Sequence, residues 1–176
     1  YLFVALLFTL GNSSNAFLLL RAKSVGFADN QVILLYLVFN VIASILSIPL
    51  GRLSDRVGRK KLLVSGYIVF SIVYLGFALA SSQVTILLSF ILYGFYSAMI
   101  TGVERAYIAE ISPKDLKGTM LGLHSTIVGI ALLPASLIAG LLWDGFGASS
   151  PFLFGSAMSL IAALILLLFM KNQTRS

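Results

Sequence analysis

Five stretches of this chain carry no Lys, Arg, Asp or Glu: Tyr1–Leu20, Asn30–Gly51, Leu62–Val103, Gly118–Trp143 and Gly145–Met170. A helix needs about 20 mainly apolar residues to cross a bilayer. Four of the stretches fit one such helix each. The third, 42 residues long with Ser81-Ser82-Gln83 as its one polar break, fits two. Six transmembrane helices are therefore expected, over roughly 1–21, 31–51, 62–80, 84–111, 118–143 and 151–170. With 59% hydrophobic and only 10% charged residues, and a mean hydropathy of +1.03, too little polar surface remains to cover a water-soluble fold. Helices apolar all round sit in lipid, so the expected class is an all-α membrane protein.

The net charge of +6 is placed in short segments between apolar runs, which is a membrane pattern rather than a nucleic-acid-binding stripe. No nucleic-acid partner is expected. Arg52, Arg56, Arg59, Lys60 and Lys61 crowd between the second and third runs; Lys114 and Lys117 lie between the fourth and fifth, and Lys171 and Arg175 in the tail. All of these fall on one side of the membrane, against Arg21 and Lys23 on the other. Short basic loops stay in the cytoplasm. Hence the reading is a multi-pass protein of the inner or plasma membrane, in contact with the lipid bilayer, both termini cytoplasmic. The absence of cysteine excludes disulfides and thiolate metal sites. The first run lacks a basic leader and a cleavage site, so it reads as a span and not a signal peptide. A start at Tyr1 without an initiator Met points to a piece of a longer chain.

The sequence also repeats itself. At an offset of 89 residues, Gly51-Arg-Leu-Ser-Asp55-Arg-Val-Gly58 aligns with Gly140-Leu-Leu-Trp-Asp144-Gly-Phe-Gly147, both G-x-L-x-D-x-x-G. Gly66 then meets Gly155, and Ser47 meets Ser136. The offset maps helices one to three onto four to six, and an odd number of crossings inverts the second copy. Charge agrees: Arg52, Arg56, Arg59, Lys60 and Lys61 fall opposite Leu141, Gly145, Ala148, Ser149 and Ser150. The expected architecture is one six-helix bundle over 1–176 built as a 3+3 inverted repeat, repeat one 1–80 and repeat two 84–170. Secondary transporters often use this arrangement.

Residues 51–61 resemble the G-x-L-x-D-R-x-G-R-K/R signature of the major facilitator superfamily, which occupies the cytoplasmic loop between the second and third helices of a six-helix half. Glu110-Ile-Ser-Pro-Lys-Asp-Leu-Lys117-Gly118 is similar to the family's E-x6-R-G motif, with Lys117 in place of the usual Arg. That exchange weakens a bidentate carboxylate pair. The resemblance covers the whole chain and implies half of a twelve-helix transporter. Phe8-Thr-Leu-Gly-Asn-Ser-Ser-Asn15-Ala-Phe and Gly102-Val-Glu-Arg-Ala106 look like the seventh and tenth helices of prokaryotic members. Gly129-Ile-Ala-Leu-Leu-Pro134 lacks the antiporter motif of N-terminal halves. The C-terminal half is therefore the preferred assignment. By the same resemblance, Gly51, Asp55, Arg56, Gly58, Arg59, Lys60, Glu110 and Lys117 form the gating motif, with Asp55, Arg59, Glu110 and Lys117 as a cytoplasmic latch. Topology anchoring alone is the plainer explanation of the same charges. From the residues themselves, Gly51 and Gly58 are expected to provide a sharp turn and close helix approach, with Asp55 near the N-terminus of the third helix.

Polar residues inside the spans supply the candidate substrate cavity: Asn12, Asn15, Asn40, Glu104 and Arg105. A charge at a helix centre costs about 2.5–3.5 kcal/mol on insertion scales, less near the interface. Neighbours on a helix point about 100° apart, so Glu104 and Arg105 do not pair readily with each other. Asn15 falls opposite Glu104 under the repeat offset. Glu104 and His124 are candidates for proton coupling, His124 because histidine titrates near neutral pH. Each has a structural alternative: an interfacial pair for Glu104 and Arg105, helix–helix hydrogen bonding for the asparagines, packing for His124. Pro134 is expected to kink the fifth helix.

No nucleophile–base pair, metal-spaced cluster or phosphate loop is found, so neither an enzyme nor a cofactor is expected. The reading is half of a secondary active transporter that moves a small-molecule substrate by alternating access. Its partner would be the second six-helix half of the same polypeptide or a homodimer copy. One rival is a non-transporting membrane scaffold or receptor that kept the fold; another is a six-span membrane enzyme, for which only Glu104, Arg105 and Glu110 come near one interface.

Overall fold

A computed structural model describes residues 1–169, with the side chain of Phe169 left aside. Lys171 and Arg175, part of the charge tally, lie outside the described residues. The elements are α1 (Leu2–Gly11), α2 (Asn15–Ser24), α3 (Asp29–Val57), α4 (Arg59–Leu79), α5 (Gln83–Ile100), α6 (Val103–Ile111), a 3-10 turn (Lys114–Leu116), α7 (Lys117–Phe146) and α8 (Ser150–Phe169). They make six helices long and apolar enough to cross a membrane: Leu2–Ser24, Asp29–Val57, Arg59–Leu79, Gln83–Ile111, Lys114–Phe146 and Ser150–Leu168. Among the described residues there is no strand.

Two spans are discontinuous where continuous helices were expected. The first breaks at Asn12–Ser14, where the Ser14 side chain accepts from the Ala16 N–H and caps α2. The fourth breaks at Thr101 and Gly102, the latter at φ +83°. These breaks obey the repeat: α1 ends at Gly11 and α5 at Ile100, 89 residues apart. So do the two tight turns, at Gly58 (φ +97°) and Gly147 (φ +92°).

The basic segment 51–61 is not the open loop expected from its charges. Helix α3 runs through Arg52, Asp55 and Arg56 to Val57, Gly58 alone makes the turn, and α4 begins at Arg59. Gly51 is an ordinary helical residue. A Cβ at either Gly51 or Gly58 would meet nothing within 4 Å, so neither serves close packing; Gly58 is needed for its positive φ. Asp55 sits in the last turn of α3 rather than at the start of the next helix. Helix α7 continues through Pro134 without interruption.

Packing follows the same internal symmetry. Helix α3 packs on α5 and its counterpart α7 on α1; α4 packs on α5 and its counterpart α8 on α1; α4 and α8 pack on each other at the centre. The core is aromatic, with Tyr67, Phe70, Tyr74, Phe77, Phe90 and Phe152 fully buried. Across the α4–α8 seam, the Ser71 and Ser156 hydroxyls meet at 2.7 Å and Ser159 Oγ donates to the Tyr67 carbonyl at 2.6 Å. Small hydroxyls satisfied in this way suit a helix pair in lipid. Close approach is carried by Gly11 and Gly155, whose backbones pack against each other, with Gly155 also against the Tyr74 ring.

The α3–α4 turn and the end of α6 lie together at one end of the bundle, joined by Arg59; the α7–α8 turn, the end of α2 and the end of α4 lie together at the other, joined by Arg21. The second triplet of spans therefore runs opposite to the first.

Candidate functional site

At the Gly58 end, one guanidinium gathers three partners. Arg59 Nη2 donates to Asp55 Oδ1 at 3.0 Å, and Nη1 donates both to Glu110 Oε2 at 3.1 Å and to the Ala106 carbonyl at 3.1 Å. The Asp55–Arg59 pair spans the Gly58 turn, while Glu110 comes from the other repeat. These groups line an open pocket of about 440 Å³ with Ser54, Arg56 and Gly58. Lys60 points elsewhere and donates to the Leu167 carbonyl at 3.2 Å. Lys117 is exposed at the start of α7, and Glu110 pairs with Arg59 rather than with it. Arg56 and Lys117 form no ion pair among the described residues. Gly51 lies one turn up α3 from Asp55.

A second cluster lies deeper and joins four helices. Glu104 Oε1 on α6 accepts from the Tyr1 hydroxyl at 2.7 Å and the Tyr67 hydroxyl at 3.5 Å, and the two hydroxyls are 3.3 Å apart. His124 Nε2 on α7 approaches the same oxygen to 3.3 Å but off the line of a hydrogen bond, so this buried nitrogen lacks a formed partner. The imidazole stacks on the Tyr1 ring at 6.2 Å. All three approaches fall on Oε1. Glu104, Arg105 and His124 line a cleft of about 610 Å³ with Thr101, Ser125 and Leu132. Arg105 is exposed in this cleft and has no hydrogen bond or ion pair among the described residues. The expectation that Glu104 and Arg105 do not pair with each other agrees with this geometry.

A cleft of about 420 Å³ follows along the same face of α7, sharing Leu132. Asn12, Ser13, Ser14 and Asn15 form its wall, facing Ser136. Each asparagine carbonyl is held from behind by a tyrosine: Tyr93 donates to Asn15 Oδ1 at 2.9 Å, and Tyr74 to Asn12 Oδ1 at 3.4 Å. The backbone breaks of both repeats thus open onto one face of α7, with polar groups at each. Asn40 is not among these residues. Its amide donates to the Tyr36 carbonyl within α3 at 2.7 Å, on another side of the bundle.

Reading residues one at a time missed the tyrosines. Tyr1 and Tyr67 hold Glu104, Tyr74 holds Asn12 and Tyr93 holds Asn15, and nothing in the sequence separates these four from the other three tyrosines. Arg21 was also passed over. It is fixed by the end of α4 through the Phe77, Ala78 and Ala80 carbonyls. Among the described residues, no group of three or more His, Cys, Asp or Glu is placed to hold a metal ion.

The model of the Major Facilitator Superfamily matches residues 1–176. An uncharacterised MFS-type transporter of Methanocaldococcus jannaschii is 42% identical over 173 residues, 95% of this chain and 43% of that protein. Multidrug resistance protein 2 of Bacillus subtilis is 33% identical over 69% of this chain and 30% of its own length. The quinolone resistance protein NorA of Staphylococcus aureus is 25% identical over 88% of this chain and 39% of its own. The chain thus spans less than half the length of each of these relatives, whose names are those of transporters and resistance proteins rather than of enzymes.

Proposed function

Because the chain belongs to the Major Facilitator Superfamily, we propose that it forms one six-helix half of a secondary active transporter that carries a small organic solute across the plasma membrane by alternating access. The observation that supports this most is the convergence of both helix breaks on one face of α7, which leaves Glu104, Arg105 and His124 along one cleft and Asn12 and Asn15 along the next. A transporter site near the midplane draws on broken helices because the interrupted backbone and its side chains can replace water around a solute. On this reading the second half of the fold closes the cleft, repeat one covers 1–80, repeat two covers 84–170, and the chain stands as the C-terminal half.

The Gly58 end faces the cytoplasm, by the excess of Arg and Lys there. Asp55, Arg59 and Glu110 form the latch at that end; Lys117 stands aside from it. Glu104, with His124 beside it, is the group that takes up and releases a proton as the cleft changes access. The two resistance proteins among the relatives favour export of organic compounds.

The test uses single cysteines in the naturally cysteine-free chain. In the full-length protein in membrane vesicles, cysteines at Ser125 and Ser136 should react with a water-soluble maleimide, and cysteines at Ile33 and Leu153 should not. Protection of both cleft positions and reactivity at the apolar ones would refute the reading.

A further inference from the structure

Arg105 is a cation inside a span with nothing on this chain to neutralise it. It belongs to the fourth span, Gln83–Ile111, lies just after the break at Gly102, and is exposed to the cleft of about 610 Å³. Its neighbour Glu104 does not serve as a partner. Adjacent helical side chains point about 100° apart, and Glu104 Oε1 already accepts from the Tyr1 and Tyr67 hydroxyls. No other Lys or Arg lines this cleft or the next one along α7. Arg59 and Lys23, by contrast, are closed on acids of their own. A charge within a span is costly unless it is paired or serves a function.

Two further features give the cleft the same sign. Helix α6 starts at the break, with Gly102 as its N-cap and no side chain capping it. Its first backbone bond runs from the Ala106 N–H to the Gly102 carbonyl, so the N–H groups before Ala106 have no partner within the helix. Gly102, Glu104 and Arg105 all line the cleft, and the positive end of the α6 dipole therefore opens into it. Across the cleft, His124 is only 7% exposed and its Nε2 has no formed hydrogen bond. Ile100, Val128 and Leu132 supply an apolar wall beside these groups. The volume suits a small molecule.

We propose that the α6–α7 cleft takes the anionic end of the transported solute, with the Arg105 guanidinium as its counter-ion and the apolar wall against its body. This rests on the transporter reading and names its substrate class, a small organic acid carried as the anion. A guanidinium fork suits a carboxylate, which it can meet with two parallel N–H donors.

The experiment uses the full-length protein in detergent, with Ser125→Cys in this cleft or Ser136→Cys in the next as its single cysteine. Two methanethiosulfonates of similar size probe each thiol, the anionic sulfonatoethyl and the cationic trimethylammonioethyl reagent. Arg105→Gln should lower the anionic-to-cationic rate ratio at Ser125→Cys by about fivefold or more, the effect of one unit charge near contact even at the dielectric of water. Arg105→Lys should keep most of the ratio, and the ratio at Ser136→Cys should barely move. Benzoate should protect Ser125→Cys from N-ethylmaleimide better than its isosteres benzamide and benzamidinium, and in Arg105→Gln it should fall to the level of benzamide. A ratio at Ser125→Cys that Arg105→Gln leaves unchanged, or protection by benzamidinium equal to that by benzoate (none by either included), overturns the anion subsite and leaves the transporter reading standing. An equal change of ratio at both cysteines also overturns it, because Arg105 would then be acting on the structure as a whole. If neither reagent reaches Ser125→Cys, the transporter reading falls with it.

Discussion

The carboxylate of Glu104 on α6 and the hydroxyl of Tyr1, just before α1, meet at 2.7 Å across 103 positions of sequence. This contact sets Glu104 with its Oε1 turned towards Tyr1, Tyr67 and His124. Two tyrosine hydroxyls and one imidazole thus face one carboxylate, with Arg105 beside it on α6.

Glu104→Gln retains the shape and an acceptor for Tyr1 but cannot exchange a proton. Hydrogen bonds to a charged group contribute about 1.5–3 kcal/mol against 0.5–1.5 for neutral ones, so stability should fall by about 1 kcal/mol only. The larger effect should be on pH dependence. Transport by the full-length protein in vesicles should respond to an imposed pH gradient in the parent and lose that response in Glu104→Gln, whereas Tyr1→Phe, which keeps the carboxyl group, should retain it.

At the latch, the energetics and the function should part company. Asp55 and Glu110 are more than a third exposed, and exposed ion pairs contribute about 0–1 kcal/mol. Asp55→Asn should therefore leave the melting temperature in detergent nearly unchanged while it alters access to the cleft. Lys117→Ala should alter neither, since Glu110 is engaged by Arg59. A strong access phenotype for Lys117→Ala would return that residue to the latch.

The count of spans and the turn at Gly58, though not one at Gly51, were legible in the sequence, because lipid forbids charge and a positive φ favours glycine. The ends of the helices were not. Charge marks the edge of the hydrocarbon, not the end of a helix, so α3 carries Arg52, Asp55 and Arg56 for a further turn and a half until Gly58 stops it. The breaks at Asn12–Ser14 and Thr101–Gly102 were hidden for a similar reason: polar residues in a span read as one face of a helix when they are the site of its interruption. Which tyrosine reaches which polar group is decided by tertiary packing between residues 62 to 103 positions apart, which no local pattern records.

The glycines that the repeat matched are not equivalent in packing. A methyl group at Gly155 would run into the Gly11 carbonyl and the Tyr74 ring, both fixed, whereas one at Gly51 would enter open space. Gly155→Ala should destabilise the bundle by about 1–3 kcal/mol, the usual cost of overpacking. Gly51→Ala should be neutral or stabilising by up to about 1 kcal/mol, since Ala is the better helix former. Thermal unfolding of the two variants in the same detergent checks both signs.

The two turns offer the sharpest comparison, because they share a backbone and differ in surroundings. Gly58 and Gly147 both sit in the positive-φ region and both have empty space where a side chain would go. Alanine at either position should therefore carry backbone strain alone, about 1–3 kcal/mol, and the two losses in melting temperature should be similar. Their effects on access should differ. Gly58 sets the register between Asp55 and Arg59, so Gly58→Ala should also loosen the latch and speed labelling of Ser125→Cys. No ion pair spans the Gly147 turn among the described residues, so Gly147→Ala should leave labelling of both reporters near the parent rates. Equal labelling changes at both reporters in both variants would mean that the turns only hold the helices together, and that neither end of the bundle is gated by the residues beside its glycine.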